Sequence, residues 1–253
     1  MGKLETEMNT LTYSQLGSFG RFGNQLFQVA STIGIAINNG YGFAFPRLDW
    51  MDHLVNALPV LDRPVHATRY IPFGYHDVTL PDTRMDGIDN LMLDIRNSYL
   101  QSWKYFRNTN ELVRHHLTFA NMPYPVDLVA VHVRRGDYKT QDWHPLLGRE
   151  YYDRAIVDLA GYDPSKLLFF SDEPDEVLRM YPGVNVWHTG NTVEDFKMMM
   201  SCRHFIIANS TYSWWAAYLG AWPDKKVIAP KNWFSADAPY HTKDLYPTNW
   251  MVI

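Results

Sequence analysis

From residue 126 onward, short uninterrupted apolar runs alternate with stretches whose apolar residues recur every three or four positions. The runs at 128–134 (LVAVHVR), 166–171 (KLLFFS), 184–188, 204–208 (HFIIA) and 227–230 predict strands. Between them the spacing predicts helices. One covers 149–160 with Tyr152, Ile156 and Leu159 on one face, one opens at Thr192 and carries Phe196, Met199 and Met200, and one covers about 212–219. Continuous apolar strands separated by helices imply a parallel sheet covered on both faces. In such a doubly wound domain, ligands bind at the carboxyl ends of the strands.

The first half reads less regularly. A strand at 11–16 leads through a glycine-rich turn into a helix at about 24–38, with Leu26, Phe27, Ala30, Ile33 and Ile37 on its apolar face. A strand follows at 41–45, and 108–117 reads as helix. Between 49 and 95, Pro59, Pro64, Pro72 and Pro81 predict loops and short edge strands. The two prolines in Asn121-Met122-Pro123-Tyr124-Pro125 mark a boundary between domains 1–122 and 123–253. The expected architecture is α/β, two Rossmann-like halves facing a cleft.

The chain has 253 residues, 46% of them hydrophobic and 20% charged, enough to bury a core without a disulfide or structural metal. Cys202 is the single cysteine, which excludes an internal disulfide and a cysteine-rich zinc site. A net charge of −4 and a pI near 6.2 argue against a nucleic-acid partner. No run of ~18 apolar residues predicts a transmembrane segment, and residues 1–10 are too polar for a signal peptide, so the expected location is cytoplasmic. Aromatics reach 15%, with nine Trp and 16 Tyr, which serves a core but also serves stacking on sugars and bases.

Three segments carry candidate chemistry. In His132-Val133-Arg134-Arg135-Gly136-Asp137-Tyr138 a buried strand ends in two guanidiniums. Unpaired charge is costly to bury, and the planar Arg fork matches a phosphate bidentately, so an anion site is expected; a structural Arg–Asp salt bridge is the plainer alternative. In Asn209-Ser210-Thr211-Tyr212-Ser213 a strand end opens a helix, where hydroxyls cap and the helix dipole favours phosphate. Gly17, Gly20 and Gly23 flank Arg21 and precede Asn24, but the spacing is wrong for a dinucleotide loop and no acid sits about 20 residues on. A loop bringing backbone, Arg21 and Asn24 close to a ligand is the better physical reading. Asp172 follows the 166–171 strand, where it could meet a ribose or base edge or cap the next helix, and Asp195 sits in the first turn of its helix, where the dipole favours an acid. The ten histidines show no metal-ligand spacing, so neither a catalytic metal nor a cofactor is expected.

Together G-R-F-G-N-Q-L-F-Q at 20–28, Y-L-Q-S-W-K-Y-F at 99–106, H-V-R-R-G-D-Y at 132–138 and A-N-S-T-Y-S-W-W-A-A-Y-L at 208–219 resemble the α-1,2-fucosyltransferases, glycosyltransferase family 11. The Arg-Arg motif is one that family shares with α-1,6- and protein O-fucosyltransferases, and G-R-F-G-N-Q is closer to the spelling of the latter. The resemblance implies a GT-B-like fold, GDP-fucose as donor, inversion at the anomeric carbon and no metal. It implies that Arg134 holds the β-phosphate, that His132 lies beside the nucleotide and that Arg135 orients Asp137 or the phosphate. It further implies Asp195 on guanine, Ser210 and Thr211 on the phosphates, and Asn24 reaching across the cleft. The partner is a glycan acceptor, expected to be a terminal galactoside. A carboxylate must take the acceptor proton, and Asp137 and Asp142 are the candidates. Two rivals stand beside this reading: the same fold using another donor such as GDP-mannose, and a nucleotide- or carbohydrate-binding module without turnover.

Overall fold

A computed structural model describes residues 8–81, 91–161 and 163–253. The chain forms two units, Met1–Thr118 with Lys243–Tyr246, and Phe119–Thr242 with Pro247–Ile253. The division thus falls after Thr118 rather than after Met122. Phe119 belongs to the second unit because its ring packs on Phe196 at 5.4 Å, and the buried Lys197 ammonium reaches Ala120 O at 3.4 Å. The short return segment joins the first unit because Ser102 Oγ donates to Asp244 O at 2.9 Å and Lys104 pairs with the Asp244 carboxylate.

In the first unit, β1 (Thr10–Thr12), β2 (Gly42–Ala44), β3 (Ala67–Tyr70) and β4 (Met92–Arg96) form a parallel sheet in the order β2-β1-β4-β3. β1 is shorter than its apolar run predicts, because Ser14 leaves the ladder and gives both its amide (2.7 Å) and its hydroxyl (2.5 Å) to the buried Asp94 carboxylate. The expectation of edge strands alone between 49 and 95 fails at β4. That strand pairs on both sides, and Met92, Leu93, Asp94 and Ile95 are buried. The helix α1 (Phe22–Asn38) buries Leu26, Phe27, Ala30 and Ile33, but Ile37 is 42% exposed, so the apolar face ends a turn early. A Cβ on Gly34 would stand 2.1 Å from Tyr105 O, so glycine is what lets α1 lie against the 3-10 turn Trp103–Tyr105. α2 (Asn110–His116) closes the unit.

The second unit holds β5 (Val126–Val133), β6 (Leu167–Ser171), β7 (Asn185–Trp187), β8 (Cys202–Ile206), β9 (Val227–Ala229) and β10 (Met251–Val252). All are parallel, in the order β10-β9-β8-β5-β6-β7. Its helices are α3 (Arg149–Ala160), α4 (Pro174–Met180), α5 (Thr192–Ser201) and α6 (Thr211–Leu219). Val129, Val131 and Val133 of β5 pack with Tyr152, Ala155 and Ile156 of α3, Phe169 of β6, Ile206 of β8 and Ile228 of β9. Each such side chain contributes about 1.5–3 kcal/mol when fully buried, which fixes the central strand. α3 ends at Gly161, whose φ of +58° is the left-handed conformation glycine adopts freely. α6 is buried from Ser213 to Leu219 and stacks Trp214 on Tyr218 at 4.9 Å, so it is an interior helix.

Candidate active site

In chain order the second unit's strands run outward one way as β5, β6, β7 and the other way as β8, β9, β10. The order therefore reverses between β5 and β8, where a doubly wound sheet opens its ligand crevice outside the carboxyl ends. The two motif segments that follow β5 and β8 leave from those ends.

Successive residues of an extended chain point to opposite sides, and the two arginines after β5 do so. Arg134 is 15% exposed. Its Nη1 lies 2.8 Å from Asp172 Oδ2, its Nη2 donates to Asp137 Oδ1, and its guanidinium carbon lies 5.4 Å from the Tyr138 ring centroid. A guanidinium has five donors, so N–H groups remain for a ligand. Arg135 is buried and structural. Its Nη1 donates to Leu147 O at 2.8 Å, Nη2 meets Met180 Sδ at 3.0 Å and Nε lies 3.0 Å from Glu176 Oε1. Of the two roles expected for Arg135, Asp137 or the phosphate, the pairing with Asp137 is corrected: Arg134 makes it, while the Arg135 side chain faces α4.

Asp172, at the end of β6, serves both arginines, taking Arg135 N–H on Oδ1 at 3.0 Å and Arg134 on Oδ2. It thus faces guanidinium and backbone here, not an open space for a ribose. This close approach needs Gly136. A Cβ there would fall 2.3 Å from Asp172 Oδ2, at a φ of +24°.

His132 and α6 meet directly. His132 Nδ1 is 2.8 Å from Ser213 Oγ, and Ser213 Oγ donates to Ser210 O at 3.3 Å. Burial, with the neighbouring Arg134 charge second, lowers the His132 pKa to about 3, so the ring is neutral at physiological pH. Ser213, expected to touch substrate, is fully buried and positions His132 instead. Ser210 stands at the N-cap in an extended conformation without capping an amide, and Thr211 starts the helix. The first intrahelical bond runs from Trp214 N–H to Ser210 O at 3.0 Å. α6 thus presents its positive end beside Arg134's strand.

Asn209 is 1% exposed, and its side chain turns inward. Nδ2 donates to Pro145 O (3.0 Å) and Trp233 O (3.1 Å), while Tyr138 Oη donates to Asn209 O at 2.9 Å. The residue ties three loops together through its amide nitrogen and its backbone carbonyl. Asp195 is not the cap of α5, because Asn191 Oδ1 takes the Val193 and Glu194 amides. The Asp195 carboxylate accepts from the Thr189 amide (2.9 Å) and hydroxyl (2.8 Å). Asp137 uses both oxygens, Oδ1 on Arg134 and Oδ2 on Gln141 Nε2 at 2.9 Å. Asp142 is exposed, and its carboxylate has no hydrogen bond or ion pair among the described residues.

Arg21, Gly23 and Asn24 belong to the first unit. Arg21 is the exposed N-cap of α1, Gly23 is buried in its first turn, and Asn24 Oδ1 accepts from Gln101 Nε2 at 2.8 Å. Gln25 and Gln28 donate back to Gly20 O and Phe19 O at 3.2 and 2.7 Å, so much of this motif holds its own loop. Glu176 and the Trp143 loop escape sequence reasoning, since their partners Arg135 and Ser235 lie far away along the chain, and Thr189 escapes it because no motif marks its bond to Asp195. Among the described residues no group of three or more His, Cys, Asp or Glu is placed to hold a metal, and no helix is long and apolar enough to cross a membrane.

An arginine and an interior helix start stand together at the switch point of a parallel sheet, where such folds bind ligands, and comparison gives the class. Residues 74–253 match glycosyl transferase family 11, and the chain belongs to that family and is a glycosyltransferase. It is 33% identical over 247 residues to the O-antigen biosynthesis glycosyltransferase WbnK of Escherichia coli, covering 93% of this chain and 76% of that protein. Human galactoside alpha-(1,2)-fucosyltransferase 1 is 27% identical over 245 residues, and the chain spans 63% of its length while 79% of the chain is covered. An alpha-1,2-colitosyltransferase of Escherichia coli is 33% identical over 138 residues, 49% of this chain and 47% of that one. Among solved structures, a point mutant of Arabidopsis thaliana FUT1 in complex with GDP gives a TM-score of 0.52 at 13% identity, covering 92% of this chain and 73% of that chain. That likeness is one of fold, the GT-B-like α/β class with parallel sheets expected from the sequence.

Proposed function

We propose that the protein transfers L-fucose from GDP-β-L-fucose to a glycan hydroxyl, the 2-OH of a galactoside, with inversion and without a metal ion. The observation that carries this reading is the Arg134 guanidinium at the carboxyl end of β5, beside the start of α6 and the neutral His132. The bond between the fucose anomeric carbon and the β-phosphate oxygen breaks, and the electron pair stays on GDP. The acceptor oxygen bonds to the opposite face of the carbon, and its proton passes to a carboxylate. Charge therefore grows on the β-phosphate as the sugar becomes oxocarbenium-like. Arg134 supplies fixed positive charge there, with the hydroxyls of Ser210 and Thr211 and the helix dipole beside it. Asp172 holds the guanidinium in place from one side.

His132 suits the place because it is neutral: a second cation would repel Arg134, whereas an uncharged ring can contact the nucleotide without that cost. Asp142 takes the acceptor proton, since its lone pairs are uncommitted, whereas both oxygens of Asp137 are engaged. Asp195 contacts the guanine from the first turn of α5.

Calorimetric titration with GDP, followed by transfer assays with GDP-fucose and a panel of galactosides, tests the reading. GDP binding far tighter than free sugar, with transfer that survives EDTA, is expected; failure to bind GDP overturns it. A second reading keeps the chemistry and changes the sugar, because one matched relative is a colitosyltransferase. Competition between GDP-fucose and other GDP-deoxyhexoses separates the two.

A further inference from the structure

A row of rings leads away from Arg134 and ends at the surface of the same unit. Arg134 sits over Tyr138, and Tyr138 stacks on His144 with centroids 4.6 Å apart and planes at 16°. His144 meets Phe234 at 5.3 Å, Phe234 meets Tyr240 at 5.2 Å, and Tyr240 meets Trp143 edge-on at 6.4 Å. The inner members pack inward, but Trp143 is 44% exposed and Tyr240 40%. Single exposed aromatics need no explanation, yet two adjoining ones at the end of a continuous stack do.

The loops presenting them are pinned. Asn209 Nδ2 holds Pro145 O and Trp233 O, the Ser235 amide donates to Trp143 O at 3.0 Å, and Ser235 Oγ donates to Asp142 O at 2.9 Å. The platform is therefore preformed, which spares a ligand the cost of ordering it. Trp143 also follows Asp142 directly in the chain, so the uncommitted carboxylate and the exposed indole leave from one clamped turn.

We propose that Trp143 and Tyr240 form the acceptor subsite, on which a pyranose ring of the acceptor glycan lays its C–H face while its hydroxyls stay towards Asp142 and water. A galactose-type ring has an apolar face of axial and equatorial C–H bonds matched in size to an indole, and two rings set edge-to-face make a corner that fixes its orientation. The proposal rests on the transferase reading, because that reading supplies a glycan occupant.

The test uses the full chain with saturating GDP and methyl β-D-galactopyranoside or lactose as the probe, read by saturation-transfer NMR and by transfer kinetics. Trp143→Ala is expected to abolish the probe's transfer signal and raise acceptor KM by about tenfold or more, while calorimetry finds the GDP affinity unchanged. Trp143→Phe should recover most of the loss, and Tyr240→Ala should give a smaller effect of the same sign. Wild-type protein that binds GDP but gives no probe signal overturns the platform, as does Trp143→Ala with unaltered acceptor KM. A parallel fall in GDP affinity would make the rings a base platform. Loss of a wild-type dimer on gel filtration would make them a self-association surface. Either result replaces the proposal, whereas loss of GDP binding by the wild type sinks the transferase reading itself.

Discussion

His132 Nδ1 and Ser213 Oγ lie 2.8 Å apart, and this one hydrogen bond joins the central strand β5 to the first turn of α6 across the point where the strand order reverses. With Ser213 Oγ also donating to Ser210 O, the consistent arrangement puts the ring proton on Nδ1 and leaves Nε2 as an acceptor. Ser213→Ala removes the partner of a buried ring nitrogen, which typically costs about 1–3 kcal/mol. The expected outcome is a lowered Tm, weaker GDP binding and a changed imidazole tautomer in long-range 15N–1H spectra. A variant with unaltered Tm and tautomer would show that the bond positions nothing.

The same histidine sets an acid limit. Its folded pKa of about 3 lies below the ordinary value of 6.5, so the unfolded chain takes up a proton first as pH falls. Stability from this group is intact above the unfolded value and is lost progressively as pH drops from 6.5 towards 3. Urea unfolding at a series of pH values should show a shallower acid decline in His132→Gln than in the wild type. Equal slopes in the two proteins would remove His132 as the cause.

Adjacent arginines should fail in opposite ways. Arg134 has N–H groups to spare and faces the crevice, so Arg134→Ala should fold normally and lose about 3–4 kcal/mol of transition-state stabilisation, roughly 10²–10³ in rate. Arg135 is buried against Glu176, Leu147 O and Met180, and removing it strands those partners. Arg135→Ala should therefore cost ~3–5 kcal/mol of stability, seen as a large drop in Tm before any kinetic effect is measured.

Much of this was readable because burial writes itself into sequence. β5, β6 and β8 are apolar runs covered on both faces, and α3 falls where its spacing predicts. β4 was obscured by the prolines that precede it, although Met92, Leu93 and Ile95 are core residues. α4 has only seven residues, and β10 has two exposed ones, too few for periodicity to register. At the site, residue types revealed that charge gathers after β5, but which arginine faces the crevice depends on the pleat. Asn209 Nδ2 and Ser213 Oγ form hydrogen bonds inside the protein, and nothing in the local sequence announces those partners. The Trp143–Tyr240 pair lies on segments nearly a hundred residues apart, and no local pattern joins them.

Gly136→Ala probes the geometry that brings Asp172 to both arginines. The added methyl would meet Asp172 Oδ2 at 2.3 Å, and φ of +24° is unfavourable for alanine, so the carboxylate or the backbone must move. Backbone strain of this kind costs ~1–3 kcal/mol. The variant should show lower Tm together with a reduced kcat, since Arg134 loses its fixed orientation. Gly136→Ala with wild-type kcat would mean that Asp172 does not hold Arg134 for catalysis.

The choice of base rests on which carboxylate has a lone pair to give. Asp137 is held between Arg134 and Gln141, and withdrawing it would loosen the guanidinium proposed to meet the phosphate. Asp142 has no such commitment among the described residues. A neutral amide at the base position keeps the shape of the site but cannot accept the acceptor's proton, so Asp142→Asn should cost ~10²–10⁴ in transfer while GDP affinity stays within about twofold. Asp137→Asn should instead weaken GDP binding and depress donor hydrolysis and transfer together. Measuring all three quantities in both variants decides the matter: near-normal transfer by Asp142→Asn, with transfer lost and GDP binding retained in Asp137→Asn, would move the proton acceptor to Asp137 and leave Asp142 a bystander on the acceptor loop.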